Sequence, residues 1–480
     1  MKEFTAEEIA QATGGELYGI SPDAVLCAGA VTDSREVGPG DIYVARTGEN
    51  HDGLEFAAAA VQAGAALVIA EAVPSVDGEH LPSCVVDDAT AALGQLAKAN
   101  VEALRSTGEL TVVAITGSAG KTTVKDLAAA LLSTAGETVW PPNSYNNEVG
   151  VPLTALRAGA STRYLVLEMG ARNIGNLAYL TSLVRPDIAV ELGVGSAHAG
   201  VFGSIENTAR AKAELVESLI PGGTAVLNGN DPRVRSMQSV LAEGVDTLFF
   251  GTNVDEGVWA SDVDIQPSGR TAFDLHLPDH PEPLHIELAL LGEHHVSNAL
   301  AASAIAHLCG VAPKDIATIL ATSGAASRWR MELIDSPNGV TVLNDAYNAN
   351  PDSMRAALKT LAAMGAGDAD HPPRRTFAVL GEMLELGDES AEAHYEIGHL
   401  VVRLNITRTI AVGQGALPIY QAANLEGSWG SEAAWVPTVT EARELLASEV
   451  EPGDIVLFKS SRDAGLRYLG DEFAGVSVAQ

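Results

Sequence analysis

The chain has 480 residues, which at roughly 100–200 residues per domain predicts about three domains and a sizeable buried core. Lys plus Arg number 29 against 62 Asp plus Glu, a formal net charge of −33, which argues against generic binding to nucleic acid or to an anionic membrane. With 46% hydrophobic and 19% charged residues there is enough apolar surface to fold, so disorder of the whole chain is excluded and an acidic globular protein is expected.

The opening segment, Met1 to Ala10, is polar and acidic and carries no basic block followed by an apolar one, so no secretory signal is read there. Thr5-Ala6-Glu7-Glu8 is a capping-box pattern: the Thr5 hydroxyl can accept from the amide three residues on while Glu8 reaches back, and Gly14-Gly15 then stops the helix. Short strands are expected around Ala30 to Thr32, Ile42 to Ala45, Ala66 to Ile69 and Cys84 to Val86. A helix from about Ala89 to Leu104 follows, then a linker at Ser106-Thr107-Gly108. The most apolar stretch, Phe56 to Ala70, falls short of the roughly 20 residues a bilayer-spanning helix needs. Cys27, Cys84 and Cys309 lie far apart with no C-x-x-C pair, which fits a reducing compartment and gives neither a disulfide framework nor a zinc site. The expectation is a cytoplasmic protein without membrane insertion.

From Thr111 the pattern changes to continuous apolar runs, Val112 to Thr116, Tyr164 to Met169, Asp187 to Leu192 and Gly223 to Asn228, separated by helical patterns. Such runs are what a parallel sheet buried on both faces requires. Alternation over residues 258–290 predicts an antiparallel extension, and helices near Val296 to Leu308 and Pro313 to Ala321 close this region. A third stretch has strands at Val340 to Asn344, Thr376 to Leu380, Thr409 to Gly413 and Asp454 to Phe458 between helices, a smaller doubly wound domain. The predicted class is α/β in three domains: a small α/β domain over 1–108, a central parallel-sheet ATPase domain with a phosphate loop over 109–332, and a doubly wound, Rossmann-like domain over 333–480.

The sharpest local signal is Thr116-Gly117-Ser118-Ala119-Gly120-Lys121-Thr122-Thr123, placed between a strand and a helix as a phosphate cradle requires. Glycines let backbone amides turn inward around phosphates, Lys121 offers a point charge to the β and γ oxygens, and the Thr122 hydroxyl can reach Mg²⁺. The usual spacing G-x-x-x-x-G-K-[ST] would need glycine at 115, where Ile115 stands. Downstream lie Asn143 to Pro152, the strand-end Leu167-Glu168-Met169-Gly170-Ala171, Gly195-Ser196-Ala197-His198 and Ala211-Lys212-Ala213-Glu214. A strand-end carboxylate is well placed for a hard cation. Taken singly, Glu168 reads equally as a polar strand end, His198 as a hydrogen-bonded loop residue and Lys212 as a solvated helix residue.

The shortened loop, followed in order by a strand-end Glu, an Ala-His loop and a helix Lys, resembles the Mur ligases and their folylpolyglutamate synthetase relatives. The resemblance implies that Thr122, Glu168 and His198 bind magnesium with a carbamylated Lys212, and that Lys121, Glu168, His198 and Lys212 are the catalytic set. An ammonium would repel Mg²⁺, whereas a carbamate brings a negative charge and two oxygens. With only 8 lysines in the chain, two at these positions are less expected as background. Glu191-Leu192-Gly193 stands where several relatives carry an Asn and receives no ligand role.

Gly292-Glu293-His294-His295-Val296-Ser297-Asn298 resembles the family's G-x-H-N-x-x-N motif with His295 in place of Asn, so only Asn298 is carried over, near the adenine. Arg328-Trp329-Arg330-Met331-Glu332, after Ser327, matches an R-x-E segment in which Arg330 contacts the γ-phosphate, with pairing to Glu332 as the structural alternative. Asn344-Asp345-Ala346-Tyr347-Asn348-Ala349-Asn350-Pro351 resembles the signature of the D-alanyl-D-alanine-adding branch, and Gly381 to Gly387, His394, Gly398 and Val456 to Arg462 continue it. Asp345 and Asn348 join Gly117 to Thr123, Asn298 and Arg330 as implied ATP contacts. Thr32-Asp33-Ser34-Arg35 looks like the uridine-nucleotide end, so Ser34, Arg35, Asn146 and Asn147 are implied substrate contacts. Asn230-Asp231-Pro232-Arg233 echoes the diaminopimelate-reading motif of a sister ligase but lies in the central region.

The resemblance thus implies a ligase using ATP and Mg²⁺ to join UDP-MurNAc-tripeptide and D-alanyl-D-alanine through an acyl phosphate; nothing in the sequence suggests more than a monomer. A sister ligase shares the ATP loop but lacks the Asn344 to Pro351 and Gly381 to Gly387 segments. A motor or transporter ATPase predicts a standard Walker A loop. A non-catalytic ATP-binding scaffold predicts loss of the magnesium and lysine positions.

Overall fold

The computed structural model describes residues 1–476 apart from 27, 49–50, 196–203, 253, 255, 325–327, 368–371 and 427–431. Its first sheet has five strands, β1 (Glu16–Tyr18), β2 (Ala30–Val31), β3 (Ile42–Val44), β4 (Leu67–Ala70) and β5 (Ser83–Val85), in the order β1-β5-β4-β3-β2. Only β1, on the edge, runs antiparallel to its neighbour. Helix α1 (Ala6–Thr13) starts as expected: Thr5 Oγ1 accepts from the Glu8 amide at 3.1 Å, Glu8 Oε2 accepts from the Thr5 amide at 2.8 Å, and Gly14 ends the helix at φ 70°. The apolar stretch from Phe56 divides into α2 (Ala57–Ala63) and β4. Among the described residues no helix is long and apolar enough to cross a membrane.

Helix α3 (Ala89–Thr107) runs three residues beyond Leu104, through the Ser106-Thr107 expected to be linker. Both hydroxyls fold back onto the Ala103 carbonyl and so satisfy the last turn instead of breaking it. Buried Asn100 of α3 accepts from the Lys2 amide and donates to the Ala155 and Ala158 carbonyls, tying the first region to the second. One apolar cluster runs through both, from Leu93 and Leu96 to Val112, Ala114 and Leu167.

The central sheet has nine strands: β6 (Thr111–Thr116), β7 (Thr138–Val139), β8 (Tyr164–Glu168), β9 (Ile188–Glu191), β10 (Thr224–Asn228), β11 (Asp246–Gly251), β12 (Val258–Ile265), β13 (Arg270–Leu277) and β14 (His280–Leu291). Their order is β7-β8-β6-β9-β10-β11-β12-β13-β14; all pairs up to β11-β12 are parallel and the last two are antiparallel, as the change from continuous to alternating hydrophobicity predicts. Its helices are α4 (Lys121–Leu132), α5 (Gly150–Ala155), α6 (Asn176–Leu183), α7 (Ile205–Glu217), α8 (His294–Leu308) and α9 (Pro313–Thr322). The register sets Ile115 of β6 beside Glu168 on one side and Thr116 beside Glu191 on the other. Two strand-end carboxylates therefore flank the phosphate loop.

The last sheet comprises β15 (Glu332–Asp335), β16 (Thr341–Asn344), β17 (Thr376–Leu380), β18 (Arg408–Val412), β19 (Ala433–Val436) and β20 (Ile455–Lys459), in the order β15-β16-β20-β17-β18-β19. All but the edge strand β15 are parallel. Helices α10 (Pro351–Ala366), α11 (Ser390–Arg403), α12 (Leu417–Glu426), α13 (Val439–Glu449) and α14 (Leu466–Phe473) cover its two faces, each with its own apolar cluster. The first strand positions place Asp345 at the end of β16 and Lys459 at the end of its neighbour β20.

Candidate active site

The phosphate loop leaves β6 at Gly117 and enters α4 at Lys121. Gly120 is left-handed at φ 83°, and a Cβ there would overlap Asn298 Oδ1, so no other residue fits both the turn and the neighbour. The Asn298 amide also meets His295 Nδ1 at 3.0 Å, which places the departure from the family motif directly behind Asn298. Burial depresses His294 to about 4 and His295 well below the ordinary imidazole value, so both rings are neutral. Ser118 is tied to the strand-end loop of β9: its amide donates to the Gly193 carbonyl and its hydroxyl accepts from the Gly195 amide, each at 2.9 Å. Ala119 is exposed.

Lys121 Nζ donates to the Gly117 carbonyl at 2.7 Å, curling over the loop, and burial, opposed by Glu168, holds its ammonium below the ordinary lysine value. Thr122 Oγ1 donates to Glu168 Oε2 at 2.8 Å and meets Ser144 Oγ at 2.8 Å. Since a hydroxyl has one proton, Ser144 is the donor in that second contact. Ser144 Oγ in turn accepts from Arg330 Nη2 at 3.3 Å, and the other Glu168 oxygen accepts from Asn146 Nδ2 at 2.7 Å. One chain of bonds therefore runs from Arg330 through Ser144 and Thr122 to Glu168 and Asn146. Arg330 does not pair with Glu332, which bonds the Trp329 amide and Arg328; its guanidinium lies over the Tyr347 ring at 4.3 Å.

Across β6, Glu191 is fully buried, with Oε1 accepting from the Gly193 amide at 3.3 Å and Oε2 without a hydrogen-bond partner. Burial raises its carboxyl above the ordinary range, opposed by Lys212. Lys212, on α7, is buried beside it, and burial lowers its amine from the ordinary value while Glu191 opposes. His198 lies outside the described residues. Thr122, Glu168 and Ser144 present hydroxyl and carboxylate oxygens, the donors a hard divalent cation takes. No three His, Cys, Asp or Glu converge among the described residues. Phosphate oxygens are what such a cation would need besides, and the Lys212 amine, lowered by burial beside Glu191, is of a kind that can be converted to an oxygen donor.

Asp345 Oδ2 accepts from buried Lys459 Nζ at 2.6 Å and Oδ1 from the Met331 amide at 3.0 Å, while Lys459 also reaches the Asn348 carbonyl at 3.2 Å. A cavity of about 480 Å³ between the central and last sheets is lined by the loop from Ser118 to Thr123, Glu168, Asn298, Arg330, Asp345, Asn348 and Lys459. A second cavity, of about 380 Å³, shares Lys121 and Asn146 with it and adds Gly117, Asn147, Arg172 and Lys212. Asn147 Oδ1 also accepts from the Gly150 amide at 3.0 Å, at the start of α5. Ser34 and Arg35 line neither cavity; Arg35 is paired with Asp33 at 2.5 Å on the first region's surface. Asp231 caps a short helix and accepts from the Val194 amide at 2.8 Å, a scaffold for the loop after β9. Ser144, Glu191 and Lys459 are site residues that sequence reasoning left without a role; all three lie inside segments it singled out.

Three models of one family match in chain order: residues 28–101 (Mur ligase family, catalytic domain), 115–306 (Mur ligase middle domain) and 329–462 (Mur ligase, glutamate ligase domain). The UDP-N-acetylmuramoyl-tripeptide–D-alanyl-D-alanine ligase of Mycobacterium leprae is 41% identical over 99% of both chains. A crystal structure of MurF from Acinetobacter baumannii superposes with a TM-score of 0.85 at 31% identity, covering 98% of this chain and 99% of that one. The MurF ligase of Thermotoga maritima in complex with ADP gives 0.77 at 28% identity, over 94% and 97%. The chain belongs to the Mur ligase family, on the branch that carries these D-alanyl-D-alanine ligases.

Proposed function

We propose that the chain is an ATP-dependent ligase that joins D-alanyl-D-alanine to UDP-MurNAc-tripeptide, the last amino-acid addition to the cytoplasmic peptidoglycan precursor. The observation that carries this reading is the shared wall of the two cavities: Lys121 faces both, so one ammonium can hold a γ-phosphoryl group on one side and a carboxylate on the other. The amides of Gly117, Ala119, Gly120, Lys121 and Thr123 bind the phosphates while Ser118 ties the loop to the end of β9, and Lys121 orients the γ-phosphoryl group for in-line attack by the tripeptide's terminal carboxylate, giving an acyl phosphate and ADP. The amine of D-alanyl-D-alanine then attacks that carbonyl and phosphate leaves. Thr122, Glu168, His198 and carbamylated Lys212 would hold Mg²⁺, which when bound supplies charge neutralisation between the two anions.

Asn298 sits at the adenine end. Arg330, Asp345 and Asn348 bring the last domain to the nucleotide, and their closure excludes water from the acyl phosphate. Ser34 and Arg35 contact the uridine end, and Asn146 and Asn147 the peptide end. The domain limits are 1–108, 109–332 and 333–480, and the enzyme acts as a cytoplasmic monomer. The test is phosphate release from ATP and Mg²⁺ with UDP-MurNAc-tripeptide, comparing D-alanyl-D-alanine with free diaminopimelate, lysine and glutamate. Turnover with the dipeptide alone is expected. Turnover only with another amine would move the protein to a sister activity, and none with any amine would favour a non-catalytic scaffold.

A further inference from the structure

The second cavity has two ends. Lys121 and Lys212 stand at the phosphate end. At the other, Asn176 and Tyr179 of α6 line it, and a Cβ on Gly94 of α3 would lie 3.3 Å from Tyr179 Oη, so this end abuts the first region. A substrate anchored on the first region and reacting over Lys121 must pass through it. Two further charges line the same cavity, Arg172 and Glu148. Both are exposed, and among the described residues neither side chain makes an ion pair or hydrogen bond, with the other or with anything else. The Arg172 backbone, by contrast, is fixed: its amide and that of Asn173 donate to Asn176 Oδ1 at 3.0 and 2.8 Å.

A held backbone with a free guanidinium, and a free carboxylate lining the same cavity, are complementary to a ligand carrying both signs of charge. Lys121 is taken by the reacting carboxylate and the phosphoryl group and Lys212 by its carbamate, so the geometry points to Arg172 and Glu148 as the readers of a zwitterionic side-chain end on the tripeptide's third residue, that is, a diaminopimelate-class residue and not a lysine. This rests on the ligase reading above. A diaminopimelyl side chain ends in an ammonium and a carboxylate; a lysyl one ends in the ammonium alone. Arg172 is then the specificity-determining residue, and Glu148 serves both substrates.

The experiment compares UDP-MurNAc-tripeptides ending in diaminopimelate and in lysine, in kcat/KM with ATP and D-alanyl-D-alanine and in Kd without them. The wild type should favour the diaminopimelate substrate by about tenfold or more, through KM and Kd, as a charged pair at a partly solvated site supports. Arg172→Ala should bring that ratio toward one and Arg172→Glu should invert it, whereas Glu148→Gln should weaken both substrates together. Circular dichroism and melting temperature check that the folds match. Equal use of the two tripeptides by the wild type, or an equal loss on both in Arg172→Ala, overturns the assignment while leaving the ligase reading intact. Absence of turnover with either tripeptide overturns the ligase reading and this one with it.

Discussion

Replacing Lys459 by methionine keeps the length of the buried stem and removes its ammonium. In the wild type that ammonium is 1% exposed and lies 2.6 Å from Asp345 Oδ2, whose side chain is 14% exposed. Without it the carboxylate keeps only the Met331 amide at 3.0 Å. Breaking a buried pair from one side costs about 3–5 kcal/mol, and the residual amide and slight exposure put this one near the lower figure, about 3 kcal/mol. At about 2–4 °C per kcal/mol, Lys459→Met should melt about 6–12 °C below the wild type. Adding Asp345→Asn removes the stranded charge, and the double variant should recover about 2 kcal/mol of the loss. Thermal unfolding of the four proteins of this cycle gives the coupling directly. Because Lys459 also holds the Asn348 carbonyl over the nucleotide cavity, the ATP KM of Lys459→Met should rise more than that for D-alanyl-D-alanine. A single variant that melts within a degree of the wild type, or a cycle with no coupling, would refute the reasoning.

Thr122→Val keeps the shape but loses the hydroxyl that donates to Glu168 and accepts from Ser144; kcat should fall about 10²-fold and the Mg²⁺ needed for half-maximal rate should rise, so an unaltered Mg²⁺ titration counts against the cation role. Gly120→Ala places a methyl on Asn298 at a left-handed position, a strain of about 1–2 kcal/mol before the clash, and should raise the ATP KM at least about tenfold; an unchanged KM would show that the loop can relax. Lys212→Ala should nearly abolish ligation with the fold intact and be partly rescued by a short carboxylic acid; wild-type-like turnover would remove the carbamate from the scheme.

What could be read from the sequence was whatever depends on local order along the chain. The phosphate loop is contiguous, Glu168 ends an apolar run, and the continuous and alternating patterns separated β6, β8, β9 and β10 from β12 to β14, while β7 and β11 went unread. Short edge strands escaped, since β1, β15 and β19 have three or four residues and no face buried enough to leave a pattern. The Ser106-Thr107 pair misled because such residues break a helix only when their hydroxyls compete with its bonds, and here they return to Ala103. Two family positions prove to be packing devices: His394 Nε2 accepts from the Met383 amide at 2.8 Å, and a Cβ on Gly398 would overlap the Ile419 carbonyl of α12. Ser144, Lys459, Arg172 and Glu191 acquire their partners or their cavity across many residues of chain, so spacing carried no sign of them.

The charge at the loop gives the reason for a divalent cation independently of any relative. At physiological salt the screening length is about 8 Å, so the net −33 matters little inside the cavities and the local set decides. Arg330 and Lys459 face the nucleotide cavity, Lys212 and Arg172 face the other, and Lys121 alone of the described cations lines both. Yet Glu168 and Glu191 flank that same ammonium from the neighbouring strand ends, and Asp345 already neutralises Lys459. Lys121 and Lys459 are thus matched before a nucleotide or a carboxylate enters, and Arg330 is the cation on the nucleotide side that faces no carboxylate among the described residues. Bringing two more anions to bonding distance over a charge already balanced is unfavourable unless further positive charge arrives with them. Thr122 and Glu168, bonded to each other and presenting only oxygen, are where that charge can be received.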